Sequence, residues 1–158
     1  MDIRGSHAGC CKFGKQANKE EGPIERHNTL RNVVFHACKA AGYALESLGL
    51  VNGQARPADV LVSGLHRSHP KSALDVTITS PLQQSYIKYA ARQSGYNMEK
   101  AYKMKLDRFP ELSDRGIKLV PLVWETTGGA SDSVHTLFQD LAMMEAKRTG
   151  LRAKEILF

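Results

Sequence analysis

Cysteine is scarce. Cys10, Cys11 and Cys38 are the only three in 158 residues, with no Cys-x-x-Cys spacing and no even number to pair. This excludes a small disulfide-stapled fold and points to a reducing, intracellular setting. Vicinal Cys10 and Cys11 with His27 leave a zinc knuckle open, on an irregular spacing. No apolar run approaches the roughly 20 residues that span a bilayer, so no membrane partner is expected. Neither Gly-x-Gly-x-x-Gly nor the phosphate-loop pattern ending in Gly-Lys-Ser/Thr occurs, which removes the common nucleotide cradles. Gly128-Gly129 keeps one small-ligand reading open: an α/β enzyme that seats a phosphorylated ligand at the start of its last helix.

What is present is a basic balance, 22 Lys and Arg against 16 acids for a net charge of +6, which favours a polyanionic partner. Lys88, Arg92, Lys100, Lys103, Lys105 and Arg108 crowd one stretch, as suits a face laid against phosphates or, more plainly, a solvated helix face. Met1 to His7 reads as a tag remnant, and Ala8 to Gly22 has too little apolar content to offset its ordering entropy. Residues 1–22 are thus expected to be a flexible lead-in, and residues 23–158 a single domain.

Within that domain, Ile24, Leu30, Val33, Val34, Cys38 and Ala41, several of them three or four residues apart, lie behind Pro23 and ahead of Gly42, which predicts a helix. Tyr43 to Leu48 and two later apolar runs predict three strands, separated by turn formers at Gly49 to Ala55 and Gly64 to Lys71. Gln83 to Phe109 reads as helical with a break at Gly95 and with Tyr86, Tyr89, Ala90, Met98, Ala101, Met104 and Leu106 as its apolar members. A crossover of that length returns the chain for parallel pairing. Ile117 to Trp124 reads as a buried strand with Pro121 at a bulge, and Ser131 or Ser133 caps a last helix that Gly150 stops. The expected class is α/β: a mixed central sheet with helices on both faces, in the order α, β, β, β, α, β, α.

Each of two strand-like runs carries one acid, Asp59 in Arg56 to Val62 and Asp75 in Ala73 to Thr79. A carboxylate among aliphatic neighbours is costly to desolvate unless a partner or a metal compensates it. Alternation alone explains either Asp as the wet position of an ordinary strand. On adjacent strands about 4.8 Å apart the two repel unless a cation lies between them, and oxygen donors of this kind suit Mg²⁺.

Arg56-Pro57-Ala58-Asp59 and Leu74-Asp75-Val76-Thr77 stand where two sequence elements of the PD-(D/E)XK, or restriction-endonuclease-like, superfamily belong. The chain from Pro23 to Thr149 resembles that superfamily, whose core has the order αβββαβ. More narrowly, Arg26-His27-Asn28, Asp75 to Leu82, Lys105 and Glu125-Thr126-Thr127-Gly128-Gly129 resemble nuclease-like domains of eukaryotic retroelement open reading frames. The resemblance implies a Mg²⁺-dependent endodeoxyribonuclease, with Mn²⁺ substituting, acting in retrotransposon-type target cleavage or branched-DNA resolution. DNA is then the partner, the nucleus the location, and a homodimer remains open. Metal ligands would be Asp59, Asp75 and the backbone carbonyl of Val76.

Thr77 stands in the slot of the family's lysine. In some branches that lysine has moved to the following helix, which makes Lys105 the candidate and Lys103 the second choice. Glu25 and Glu125 are the candidate supplementary acids, against the plainer readings of a first-turn helix charge and a strand-end surface charge. His27, Lys88, Arg92, Lys103 and Arg108 are the candidate nucleic-acid contacts. Thr77 also feeds the competing expectation, a catalytically inactive DNA-binding module that keeps the nuclease fold.

Overall fold

In a computed structural model the described residues are 21–46 and 58–156. The first element, α1 (Glu21–Ala40), opens two residues before Pro23 and ends ahead of Gly42. Four strands follow in one sheet, β1 (Leu45–Glu46), β2 (Val60–His66), β3 (His69–Thr79) and β4 (Ile117–Glu125), laid side by side in chain order. β1 with β2 and β2 with β3 are antiparallel, while β3 and β4 are parallel. Between β3 and β4 run α2 (Ile87–Ala90), α3 (Tyr96–Arg108) and α4 (Glu111–Asp114), and after β4 come α5 (Asp132–Thr149) and α6 (Ala153–Ile156). The fold is α/β with a mixed sheet.

Alternation along the strands divides the interior in two. Val60, Val62, Leu74, Val76, Val120 and Leu122 point to one face, where α1 and α5 cover them with Val34, Cys38, Val134, Leu137 and Leu141. Leu61, Ala73 and Leu119 point to the other, under Leu112 of α4 and Phe109. Each fully buried side chain of this size contributes about 1.5–3 kcal/mol through loss of apolar surface. The helices therefore pack on both faces, and Asp75, two residues beyond Ala73, turns toward the α3 and α4 side.

Three sequence expectations change. The turn expected over Gly64 to Lys71 contracts to Arg67 and Ser68, because the strands continue through a register shift between Ser63 and His66. Gly64 sits in that shift at φ +75°, a left-handed conformation that costs little only without a Cβ. Pro121 occupies a regular position opposite Asp75, not a bulge. It is accommodated because β4 is an edge strand: the Pro121 carbonyl faces outward and accepts from Ser133 Oγ at 2.6 Å, so its nitrogen takes no bond away from β3.

The third change concerns the expected strand Tyr43 to Leu48, of which the described part forms β1 over two residues; residues 47–57, including the expected turn Gly49 to Ala55, lie outside the described residues. So do Cys10 and Cys11, and with them the zinc expectation. α4 and α6 are single turns that no apolar stripe announces.

Candidate active site

The antiparallel register pairs Val60 with Leu74, so one further step sets Asp59 opposite Asp75. The Asp59 amide still donates to Leu74 O at 2.9 Å. Beyond that point β2 supplies no further backbone among the described residues, and Val76, whose N–H and C=O face the β2 side, finds other partners. Asp59 Oδ2 accepts the Val76 N–H at 2.8 Å. His27 Nε2, reaching in from α1, lies 3.1 Å from Val76 O and 3.3 Å from Asp59 Oδ2. Both partners are acceptors, so that nitrogen carries a proton.

Asp75 is buried beside this junction, on the side of α3. Its Oδ2 receives Lys105 Nζ at 2.8 Å and the Thr77 hydroxyl at 3.3 Å. Burial holds the Asp75 carboxyl above its ordinary value of 3.8; Lys105 and Thr77 pull it down, and the neighbouring Asp59 charge pushes it up. Because the folded state binds this proton more tightly than the unfolded chain, ionising Asp75 costs folding free energy, and its contribution to stability is lost as pH rises through 3.8 and the folded value. In EDTA at neutral pH, Asp75→Asn is therefore expected to melt at a higher temperature than the unsubstituted protein, with the gain vanishing once the pH falls below 3.8. Thermal melts at a series of pH values check this; a variant that melts lower at neutral pH contradicts it.

Lys105 and Thr77 also line a cleft of about 250 Å³ with Thr79, Tyr86, Met104 and Arg108, and no acid lines it. An acid-free wall carrying Lys105 and Arg108 suits a phosphate. A larger cleft, about 630 Å³, opens between the start of α3 and the start of α5, where Glu99 and Asp132 supply charge and no Lys or Arg does. Its sign is wrong for a nucleic-acid backbone. Among the described residues no group of three or more His, Cys, Asp or Glu side chains converges on a metal position. The available donors at the junction are instead the two aspartates and the Val76 carbonyl, an all-oxygen set. Burial pushes the Cys38 thiol up to about 11, which makes it a packing group and not a nucleophile.

The remaining candidates are dispersed. Lys103 lies on the exposed face of α3 at 2.7 Å from Glu99, an i, i+4 pair that holds it away from the acids. Glu125 is on the same sheet face as Asp75 but four residues further along, about 13 Å at 3.3 Å per residue, and accepts from Thr127 Oγ1 at 2.9 Å. A Cβ on Gly129 would come within 3.0 Å of Glu125 Oε2, so Gly129 gives this carboxylate room. Glu25 is exposed and lies about 200° round α1 from His27. Lys88 and Arg92 are exposed, and Arg108 covers the Phe109 ring at 5.3 Å.

Sequence reasoning missed that His27 ties Asp59 to the Val76 carbonyl, and that Tyr89 is open to solvent. No family model, curated protein or solved structure matches the chain. Among the described residues no helix is long and apolar enough to cross a membrane.

Proposed function

We propose that the chain is a metal-dependent DNA endonuclease with a restriction-endonuclease-like core, hydrolysing phosphodiester bonds at the Asp59–Asp75 junction. One observation carries the reading: Lys105, more than two turns into α3, the helix between β3 and β4, places its ammonium 2.8 Å from Asp75, which itself stands opposite Asp59. Two acids opposite one another on neighbouring chain segments and an amine from the helix that follows, beside an acid-free cationic cleft, are the parts that phosphodiester hydrolysis needs.

Asp59, Asp75 and the Val76 carbonyl would hold Mg²⁺ or Mn²⁺, hard oxygen donors fitting a hard cation. Such an ion supplies Lewis-acid stabilisation of a phosphate and a more acidic water. Lys105 orients the attacking water and meets the negative charge that develops on the phosphate. Thr77, in the slot of the superfamily's lysine, supplies no charge; its hydroxyl fixes Asp75 in place. His27 holds Asp59 at the strand end and marks the Val76 carbonyl as reachable from the α1 side. Arg108 lies along the cleft wall, where it takes a neighbouring phosphate. Glu25 and Glu125 have no part in the hydrolytic step.

A second reading has its own support. Lys105 and His27 already partner both aspartates, as an inactive DNA-binding module that keeps the fold would require. Incubation with supercoiled and branched DNA decides between the two. The nuclease reading expects cleavage in Mg²⁺ or Mn²⁺ that EDTA stops; salt-sensitive binding without turnover in either metal supports the module and refutes the nuclease.

A further inference from the structure

Residues from Tyr86 to Tyr96 bury little: no residue of α2 is buried, and Tyr89 keeps 54% of its surface exposed. Yet its ring is ordered against another. Tyr89 and Tyr96 stack at 4.9 Å between centroids with 17° between planes, and Tyr86 meets Tyr96 edge-on at 6.4 Å. Tyr86 in turn lines the cleft that holds Lys105, Thr77 and Arg108. Three aromatic rings thus run without interruption from the wall of the reactive cleft to the surface. Lys88 and Arg92 stand exposed beside them.

A ring stacked on one side and open on the other has one flat apolar face left to cover. Core packing does not use it. The interior of a DNA duplex cannot cover it, because its paired bases hide their faces within the stack, whereas an unpaired base has a free face, and stacking on an aromatic side chain accepts any base. Exposed cations alongside serve the phosphates of the same strand. An acidic peptide would use the charges but leave the ring uncovered.

We propose that Tyr86, Tyr96 and Tyr89 form a stacking track for unpaired bases of a phosphodiester strand, with Tyr89 as the open platform. The preferred substrate then has single-stranded character next to the cleaved bond. This deepens the nuclease reading and rests on it for the word substrate, but binding to the track needs no metal and no turnover.

The test uses the whole chain in EDTA. Fluorescence anisotropy compares a blunt duplex with the same duplex carrying a short DNA or RNA overhang, and 2-aminopurine at the first unpaired position reports stacking by its quenching. An overhang is expected to bind about tenfold tighter than the blunt end, the gain of stacking one base. Tyr89→Ala is expected to remove that gain and the quenching while leaving blunt-end binding unchanged, and Tyr89→Phe to retain both. An overhang preference on DNA, RNA or both, lost in Tyr89→Ala, supports the track. Equal binding of blunt and overhanging ends, or a preference that survives Tyr89→Ala, overturns it. Because no cleavage is read, loss of the nuclease reading and loss of the track give separate results.

Discussion

Replacing Lys105 with alanine is expected to lower the rate of Mg²⁺-dependent DNA cleavage by about 10²–10³-fold, the loss that follows removal of one preorganised charge from a developing oxyanion. The side chain is half-buried, its ammonium sits on Asp75, and the cleft beside it has no acid to compete for it. Lys103 is the matched control. It is two residues away on the same helix, exposed, and paired with Glu99, so Lys103→Ala is expected to leave the rate of cleavage within about twofold, since an exposed ion pair of this kind contributes little. Initial rates of plasmid nicking at saturating Mg²⁺ measure both. Equal loss in the two variants would mean that the helix supplies general positive charge and not a positioned amine.

Leu74→Ala is expected to destabilise the fold by about 2–5 kcal/mol, out of a total of about 5–15 kcal/mol for a domain. Leu74 is fully buried on β3, which has a partner strand on each side, and its side chain packs in the larger cluster among Val60, Val34 and Leu122. Neighbours held by two strands and two helices cannot collapse into the space left behind. Met104 supplies the contrast. It is an apolar residue of α3 that remains exposed, so Met104→Ala should shift stability by no more than about 0.5 kcal/mol. Urea denaturation followed by circular dichroism checks the pair, and a mild effect at Leu74 would argue against β3 as the centre of the sheet.

The strands carrying the acids were legible because they are short apolar runs bounded by turn formers, and the last helix because Val134, Leu137 and Leu141 repeat at its period; all three are buried. The same rule misjudges the helices between β3 and β4. Tyr89, Met104 and Leu106 are apolar members of a helical stretch, but these helices cover only part of the sheet, and the three side chains face solvent. Periodicity identifies a face without saying what covers it. Pro121 was misread because a proline argues against a ladder position, and which strand forms the edge depends on pairing order, a property of the whole sheet.

At the site, Asp59 and Asp75 could be singled out because an acid in an aliphatic run is expensive. That they stand opposite one another depends on a register that no local signal fixes. The choice of Lys105 over Lys103 had a local signal: Glu99 stands four residues before Lys103, the spacing of a helix-surface ion pair, and nothing comparable occupies Lys105. The positions of Glu25 and Glu125 could not be judged in advance, since helical phase and distance along a strand decide them. His27 ties Asp59 to Val76 because β2 begins one residue after Asp59, so that side chains bond the Val76 N–H and carbonyl. That is a property of where a strand starts, to which sequence patterns are least sensitive.

The claim on which the account turns is that Asp59 and Asp75 act jointly on one divalent ion. Calorimetric titration of Mn²⁺ into the DNA-free protein tests it most directly, in the unsubstituted chain and in Asp59→Asn and Asp75→Asn. One ion bound by the unsubstituted chain and lost in each variant is the predicted result; no binding in any of the three, or undiminished binding in both variants, contradicts it.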